Sequence, residues 1–157
     1  MTERKEMSIS SGVIVGDPTI CHSCGICELV CSLTHHGACG PARSRIRIVH
    51  DPLAGEVEQV TCRQCMHPEC YYSCPVDAIV VETETGARVI DVTRCIGCGL
   101  CAKACPFNRR GLILALDAET NTYIKCDLCT AVGTSPQCVA ACPWGALTYV
   151  TRGEREN

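Results

Sequence analysis

The chain has 157 residues and a formal net charge of −3, which leaves room for one ordinary domain or two very small ones and excludes a strongly basic nucleic-acid binder. One Phe, one Trp and four Tyr rule out an aromatic core, and the 46% hydrophobic share is inflated by 17 cysteines. What remains is Val, Ile, Leu and Ala in short runs, so the fold needs staples; this much cysteine points to a disulfide scaffold or a metal-cluster protein.

The N-terminal stretch MTERKEMSISSGVIVG is charged and polar. It lacks the apolar segment and small-residue cleavage site of a signal peptide, and the chain has no run of about 18 apolar residues for a membrane span. An odd number of cysteines is awkward for full disulfide pairing. The expectation is a reduced, cytoplasmic chain without a membrane span, whose cysteines bind metal.

The first cysteine group, CHSCGICELVC, holds Cys21, Cys24, Cys27 and Cys31, with a short helical turn expected at 29–32. HHGACGPARS follows, read first as a turn-rich polar loop, with His35 and His36 tuning or ligating a cluster as the second reading and the leftover Cys39 a small buried or idle thiol rather than a ligand. SRIRIV alternates Arg and Ile as a half-exposed outer strand, an edge for a partner. The second group is CRQCMHPECYYSCP, with Cys62, Cys65, Cys70 and Cys74. AIVVETETGARVIDV then reads as a hairpin turning at 83–86. The third group, CIGCGLCAKACP, holds Cys95, Cys98, Cys101 and Cys105, with a helical turn at 101–104. GLILALDAETNTYIKC reads as a second hairpin around 117–121. The fourth group, CDLCTAVGTSPQCVAACP, holds Cys126, Cys129, Cys138 and Cys142, with a turn at 139–141, and ALTYV closes as an outer strand. All helices are expected to be short.

Each group opens C-x2-C and closes C-x3-C. Three thiolates in a tight loop can wrap one face of a cubane cluster, while the fourth points toward a neighbouring cluster, as in bacterial ferredoxins. Pro75, Pro106 and Pro143 push the preceding cysteine out of helical geometry. Gly25, Gly97 and Gly99 let backbone amides approach cluster sulfides. Zinc knuckles split four ligands two and two, which leaves the third cysteine and the C-P closure unexplained. Arg63, His67, Arg94, Lys103, Arg109 and Lys125 lie near the groups. Each is read first as solvated surface or a partner contact and second as a cation that raises cluster potentials. Trp144 is expected to pack over a cluster. No GxGxxG, P-loop or Ser/His/Asp set is present.

From Cys21 to Pro143 the four-motif pattern resembles the iron–sulfur electron-transfer subunits of molybdenum and tungsten oxidoreductases, hydrogenases and carbon monoxide dehydrogenases. The stretch CGICELVCSLTHHGACGPARSRIRI is similar to subunits that accompany tungsten aldehyde oxidoreductases or carbon monoxide dehydrogenases, of which the tungsten aldehyde oxidoreductase is preferred. The resemblance implies an α+β, ferredoxin-like fold of two nested double-cluster modules with short hairpins and helices and a cluster-organised core. Residues 1–57 with 111–157 would form the outer module and 58–110 the inserted inner one. It implies four 4Fe–4S clusters. Their ligand sets would be Cys21, Cys24, Cys27 with Cys142; Cys126, Cys129, Cys138 with Cys31; Cys62, Cys65, Cys70 with Cys105; and Cys95, Cys98, Cys101 with Cys74. Four oxidised clusters would take the formal charge from −3 to roughly −11. The implied role is a non-catalytic electron wire between a tungsten or molybdenum pterin subunit and an acceptor such as a flavin/NAD subunit. A free-standing polyferredoxin, a subunit of a carbon monoxide dehydrogenase, hydrogenase or formate dehydrogenase, and a zinc-binding interaction module are the alternatives. Two departures stand out: Ser32 rather than Pro follows Cys31, and the fourth motif carries an eight-residue gap with Gly133 and Pro136.

Overall fold

The computed structural model describes residues 11–133 and 135–156. Residues 1–10, part of the N-terminal stretch read for export signals, lie outside the described residues. The rest is an α+β chain of short elements in four two-stranded antiparallel sheets.

Strand β1 (Val13–Gly16) pairs with β8 (Leu147–Val150), Val13 facing Val150 and Gly16 facing Leu147. The VIVG segment, for which no strand was expected, is therefore the partner of the predicted ALTYV strand. Helix α1 (Ile26–His36) has eleven residues, longer than any helix expected. The physical reason is the departure at Ser32. Without a proline after Cys31 the helix continues, and the Ser32 hydroxyl bonds the Glu28 and Leu29 carbonyls within it. It ends at Gly37, which adopts φ +70°. His35 and His36 accordingly lie on its last turn, not in a polar loop.

Strands β2 (Arg47–Asp51) and β3 (Glu56–Val60) form a hairpin that the SRIRIV reading did not anticipate. Ser44, Arg45 and Ile46 precede the strand, and Ile46 is buried in the core. The two expected hairpins are present as β4 (Ile79–Val81) with β5 (Arg88–Ile90), and β6 (Ala115–Asp117) with β7 (Thr122–Ile124). Short helices α2 (Glu69–Tyr72), α3 (Leu100–Ala104) and α4 (Gln137–Ala140) follow the openings of motifs two, three and four, and α5 (Arg152–Glu156) follows β8.

Helix α1 packs on α4, and α2 on α3. Two cores result. One gathers Ile14, Ile46, Leu128 and Leu147 around Cys27, Cys31, Cys126 and Cys138. The other gathers Ile79, Ile113 and Leu114 around Cys70 and Cys101. With so few large side chains, cysteine itself is a principal constituent of both cores.

Candidate metal centres

All 17 cysteines carry free thiols. The loops that present them are bent by residues with positive φ. Gly97 and Gly99 take φ +69° and +76°, and a Cβ on Gly97 would run into the Asn121 carbonyl. Gly25 and Gly99 begin α1 and α3, so each turns the chain from cysteine loop into helix. Cys105, followed by Pro106, leaves the helical region with ψ 115°, as expected from the proline. The eight-residue gap of motif four is taken up by a short 3-10 turn over Thr130–Val132, closed by Gly133 at φ +68°.

The thiols are close enough to act on one another. Burial pushes Cys70 up to about 12, Cys62, Cys105 and Cys101 add to the rise, and Lys125 opposes it. Cys65 is raised by burial and then by Cys62 and Cys105. Cys101 is pushed to about 11 by burial and then by Cys95, Cys74 and Cys98. Cys138 is raised by burial and by Cys126, Cys31, Cys129 and Cys27. Cys27 is pushed to about 12 by burial, with Glu28, Cys21 and Cys24 contributing. Cys142 packs against the core that contains Cys27. An apolar cavity is lined by Cys74, Cys95, Cys98 and Cys101 together with Ile79, Ile90 and Tyr123. Crowded, buried thiols of this kind ionise only with a strongly cationic guest.

The donor set fits a cluster rather than a single ion. Four thiolates around one zinc at ~2.3 Å would lie about 3.8 Å apart. Among the described residues, the one group of such ligand atoms all lying within 4.8 Å of one another is His35, Asp127 and Cys129. Among the described residues no three cysteine sulfurs all lie within 4.8 Å of one another, wider than a single zinc gathers its ligands. A 4Fe–4S cluster held by four thiolates supplies one-electron storage and transfer, with no open iron for bond chemistry.

Backbone amides point at the closing cysteines. Ala78 N–H donates to Cys74 Sγ at 3.2 Å and Ala146 N–H to Cys142 Sγ at 3.3 Å, four residues on in both motifs. Cys31, which sits inside a helix, receives Arg45 N–H at 3.3 Å from across the loop. Such donors stabilise negative charge on sulfur.

Around Cys31 lies a charged network of which sequence reasoning offered only His35, as a second reading. His35 Nε2 donates to Asp127 Oδ1 at 2.9 Å and Nδ1 to the Cys31 carbonyl at 2.9 Å. Both ring nitrogens face oxygen acceptors, which is the bonding of an imidazolium. Burial opposes that charge, but Asp127 wins and lifts His35 to about 9. Arg45 pairs with the other Asp127 oxygen at 2.9 Å. Burial works to raise Cys31; His35 and the Arg45 amide outweigh it and leave the thiol below its ordinary value. The i, i+4 spacing of Cys31 and His35 was the available signal, hidden by the assignment of His35 to a loop.

Of the expected cations, Lys125 is buried, 2% exposed, and is not solvated surface. Arg63 lies over the Phe107 ring at 4.2 Å, and exposed Arg94 pairs with Asp91. Trp144 is 53% exposed with its ring 4.2 Å from that of His22, in the motif-one loop. Cys39 is exposed, which overturns the buried reading of that thiol. No helix among the described residues is long and apolar enough to cross a membrane.

A profile of the 4Fe-4S dicluster domain family matches residues 53–152. The Escherichia coli protein YsaA, named for electron transport, is 40% identical over 85% of this chain and 86% of its own length. The polyferredoxin-like subunit of aliphatic sulfonate oxidoreductase from Pyrococcus furiosus is 39% identical over 80% of this chain and 68% of its own. Among solved structures, the active site complex BamBC of benzoyl coenzyme A reductase with 1,5-dienoyl-CoA contains a chain matching at a TM-score of 0.54 and 27% identity, over 90% of this chain and 76% of that one. The chain belongs to the 4Fe-4S dicluster domain family, and it is a non-catalytic electron-transfer protein whose cofactors are 4Fe–4S clusters.

Proposed function

We propose that the chain is an electron wire of four 4Fe–4S clusters inside an oxidoreductase complex, linking a catalytic subunit to a downstream acceptor such as a flavin/NAD subunit. The ligand sets of this reading are Cys21, Cys24, Cys27, Cys142; Cys31, Cys126, Cys129, Cys138; Cys62, Cys65, Cys70, Cys105; and Cys74, Cys95, Cys98, Cys101. The observation that carries it is the reach of closing cysteines into another motif: Cys105 acts on Cys65 and Cys70, Cys74 on Cys101, and Cys31 on Cys138. The sets fall into an outer module, 1–57 with 111–157, and an inner one, 58–110. Packing of α1 on α4 and α2 on α3 supports that nesting.

Cys126 is raised in part by Cys62, which makes the second and third sets neighbours. The wire then has ends at the first and fourth sets, where Cys24 and Cys98 are exposed. Exposed Ile20 and Trp144 near one end, and Ile96 and Leu100 near the other, are the contact faces for the two electron partners.

The catalytic partner is a tungsten or molybdenum pterin enzyme, with an aldehyde oxidoreductase the best match to the motif-one stretch. The Pyrococcus relative's name supports an oxidoreductase partner and offers a sulfonate as the alternative substrate class. Multi-element metal analysis of the complex purified anaerobically from its native host tests this. Tungsten or molybdenum co-purifying with iron is the expected result. Nickel instead would redirect the partner to a hydrogenase or carbon monoxide dehydrogenase, iron on a lone chain would leave a free polyferredoxin, and zinc in place of iron would end the cluster reading.

A further inference from the structure

Two cations are buried at the junction of the second and third ligand sets with no carboxylate to neutralise them. Lys125 is 2% exposed and Arg88 1%. Among the described residues, neither has an acidic side chain within ion-pairing distance, whereas Arg43, Arg45 and His35 all do. The Lys125 ammonium has three donors and three acceptors around it: Cys62 Sγ at 3.5 Å, the Cys126 carbonyl at 3.0 Å, and the Arg88 carbonyl. It thus touches a proposed cluster ligand of one module and the backbone of a proposed ligand of the other. Arg88 donates Nη1 to the Gly86 carbonyl, but its buried Nε and Nη2 have no hydrogen-bond partner among the described residues. Burial and the like charge of Arg155 work against its cationic form, and the charges of Cys62, Cys65 and Cys70 favour it.

The surroundings hold both cations in place. Gln64, fully buried, accepts the Arg88 backbone N–H at 2.8 Å and donates to the Cys126 carbonyl at 2.9 Å. Arg155 on α5 donates to the Gln64 and Arg63 carbonyls and closes this side. Isolated buried charge is costly and persists only where an opposite charge sits beside it. Among the described residues no acidic side chain does so here, and the anionic cluster of the Cys62, Cys65, Cys70, Cys105 set would.

We infer that Lys125 and Arg88 are the fixed counter-cations of the Cys62, Cys65, Cys70, Cys105 cluster and raise its reduction potential, so that an electron settles at the middle of the wire, on the inner side of the junction. The inference rests on the ligand reading proposed above. Adding one electron makes this cluster more negative by one charge, and the two cations favour the more negative state. Lys125 and Arg88 are positioning residues: they set where the electron resides and take no part in bond chemistry.

The test is an EPR-monitored redox titration of the full chain carrying its clusters, with iron counted in the same samples. Lys125→Gln is expected to keep its iron and to lower one centre's midpoint so that its occupancy falls about tenfold, about 59 mV. Lys125→Arg, which keeps the charge, is expected to titrate like the parent. Arg88→Gln is expected to lower the same centre, and carries the test independently should Lys125→Gln not fold. An unchanged titration of Lys125→Gln or Arg88→Gln at full iron content overturns the proposal, as does an equal fall in Lys125→Arg and Lys125→Gln. Failure of the ligand reading looks different: Cys62→Ser would then retain all its iron, whatever the lysine variants do.

Discussion

The core around motifs one and four and the core around motifs two and three use the same cysteine spacing and treat charge in opposite ways. In the first, Asp127 lies between His35 and Arg45, and Asp117 pairs with Arg43, so buried carboxylates match the cations there. At the border of the second, Lys125 bonds a sulfur and carbonyls and Arg88 bonds a carbonyl, with no carboxylate paired to either among the described residues. A repeated ligand motif therefore fixes the kind of cofactor and leaves its potential to residues outside the motif.

The comparison breaks hardest when a ligand is removed. Cys138→Ser in the first core and Cys70→Ser in the second are each expected to lose about four irons per chain and to unfold the surrounding core, measured by iron content and by circular dichroism. Asp127→Ala would leave Arg45 and His35 buried without a counter-charge. It is expected to cost about 3–5 kcal/mol in denaturant unfolding under anaerobic conditions. Leu114→Ala is expected to cost about 2–5 kcal/mol, and equal costs for Leu114→Ala and Leu147→Ala would show that the two cores differ in charge and not in packing. Gly97→Ala meets both a left-handed φ and the Asn121 carbonyl. A cost of about 1–3 kcal/mol is expected, accompanied by a changed EPR signature of the centre that includes Cys95 and Cys98.

The smallest effects lie at the surface of the first core. Glu119 is 72% exposed, so Glu119→Ala should cost less than about 1 kcal/mol, although it shares Arg43 with buried Asp117. Burial pushes the Asp117 carboxyl up, but the Arg43 guanidinium and the Glu119 amide hold it below its usual value. A depressed carboxyl contributes stability above the ordinary aspartate range that is lost as pH falls through its folded value. Arg43→Ala should therefore flatten the acid limb of the stability–pH curve below about pH 4, read by thermal unfolding across pH.

The sequence was most legible where chemistry is local. The two hairpins followed from alternation around 83–86 and 117–121, and the proline after Cys105 announced the extended backbone there. Pairings between distant segments were not legible. Strand β1 finds β8 from the opposite end of the described chain, and nothing local to VIVG names its partner. The length of α1 was encoded in the missing proline after Cys31 and in Gly37, features noted as irregularities and not as a helix. Lys125 was in view as a cation near ligands, but its burial depends on Gln64 and Arg88, which belong to no motif. Arg88 gave no signal at all, since a single Arg in a short strand ordinarily faces water.

The most direct test of the account is the iron and acid-labile sulfide count of the anaerobically purified full chain. Four filled ligand sets predict about sixteen irons and about sixteen sulfides per chain. About eight would mean that two of the sets stand empty, and would contradict the wire of four.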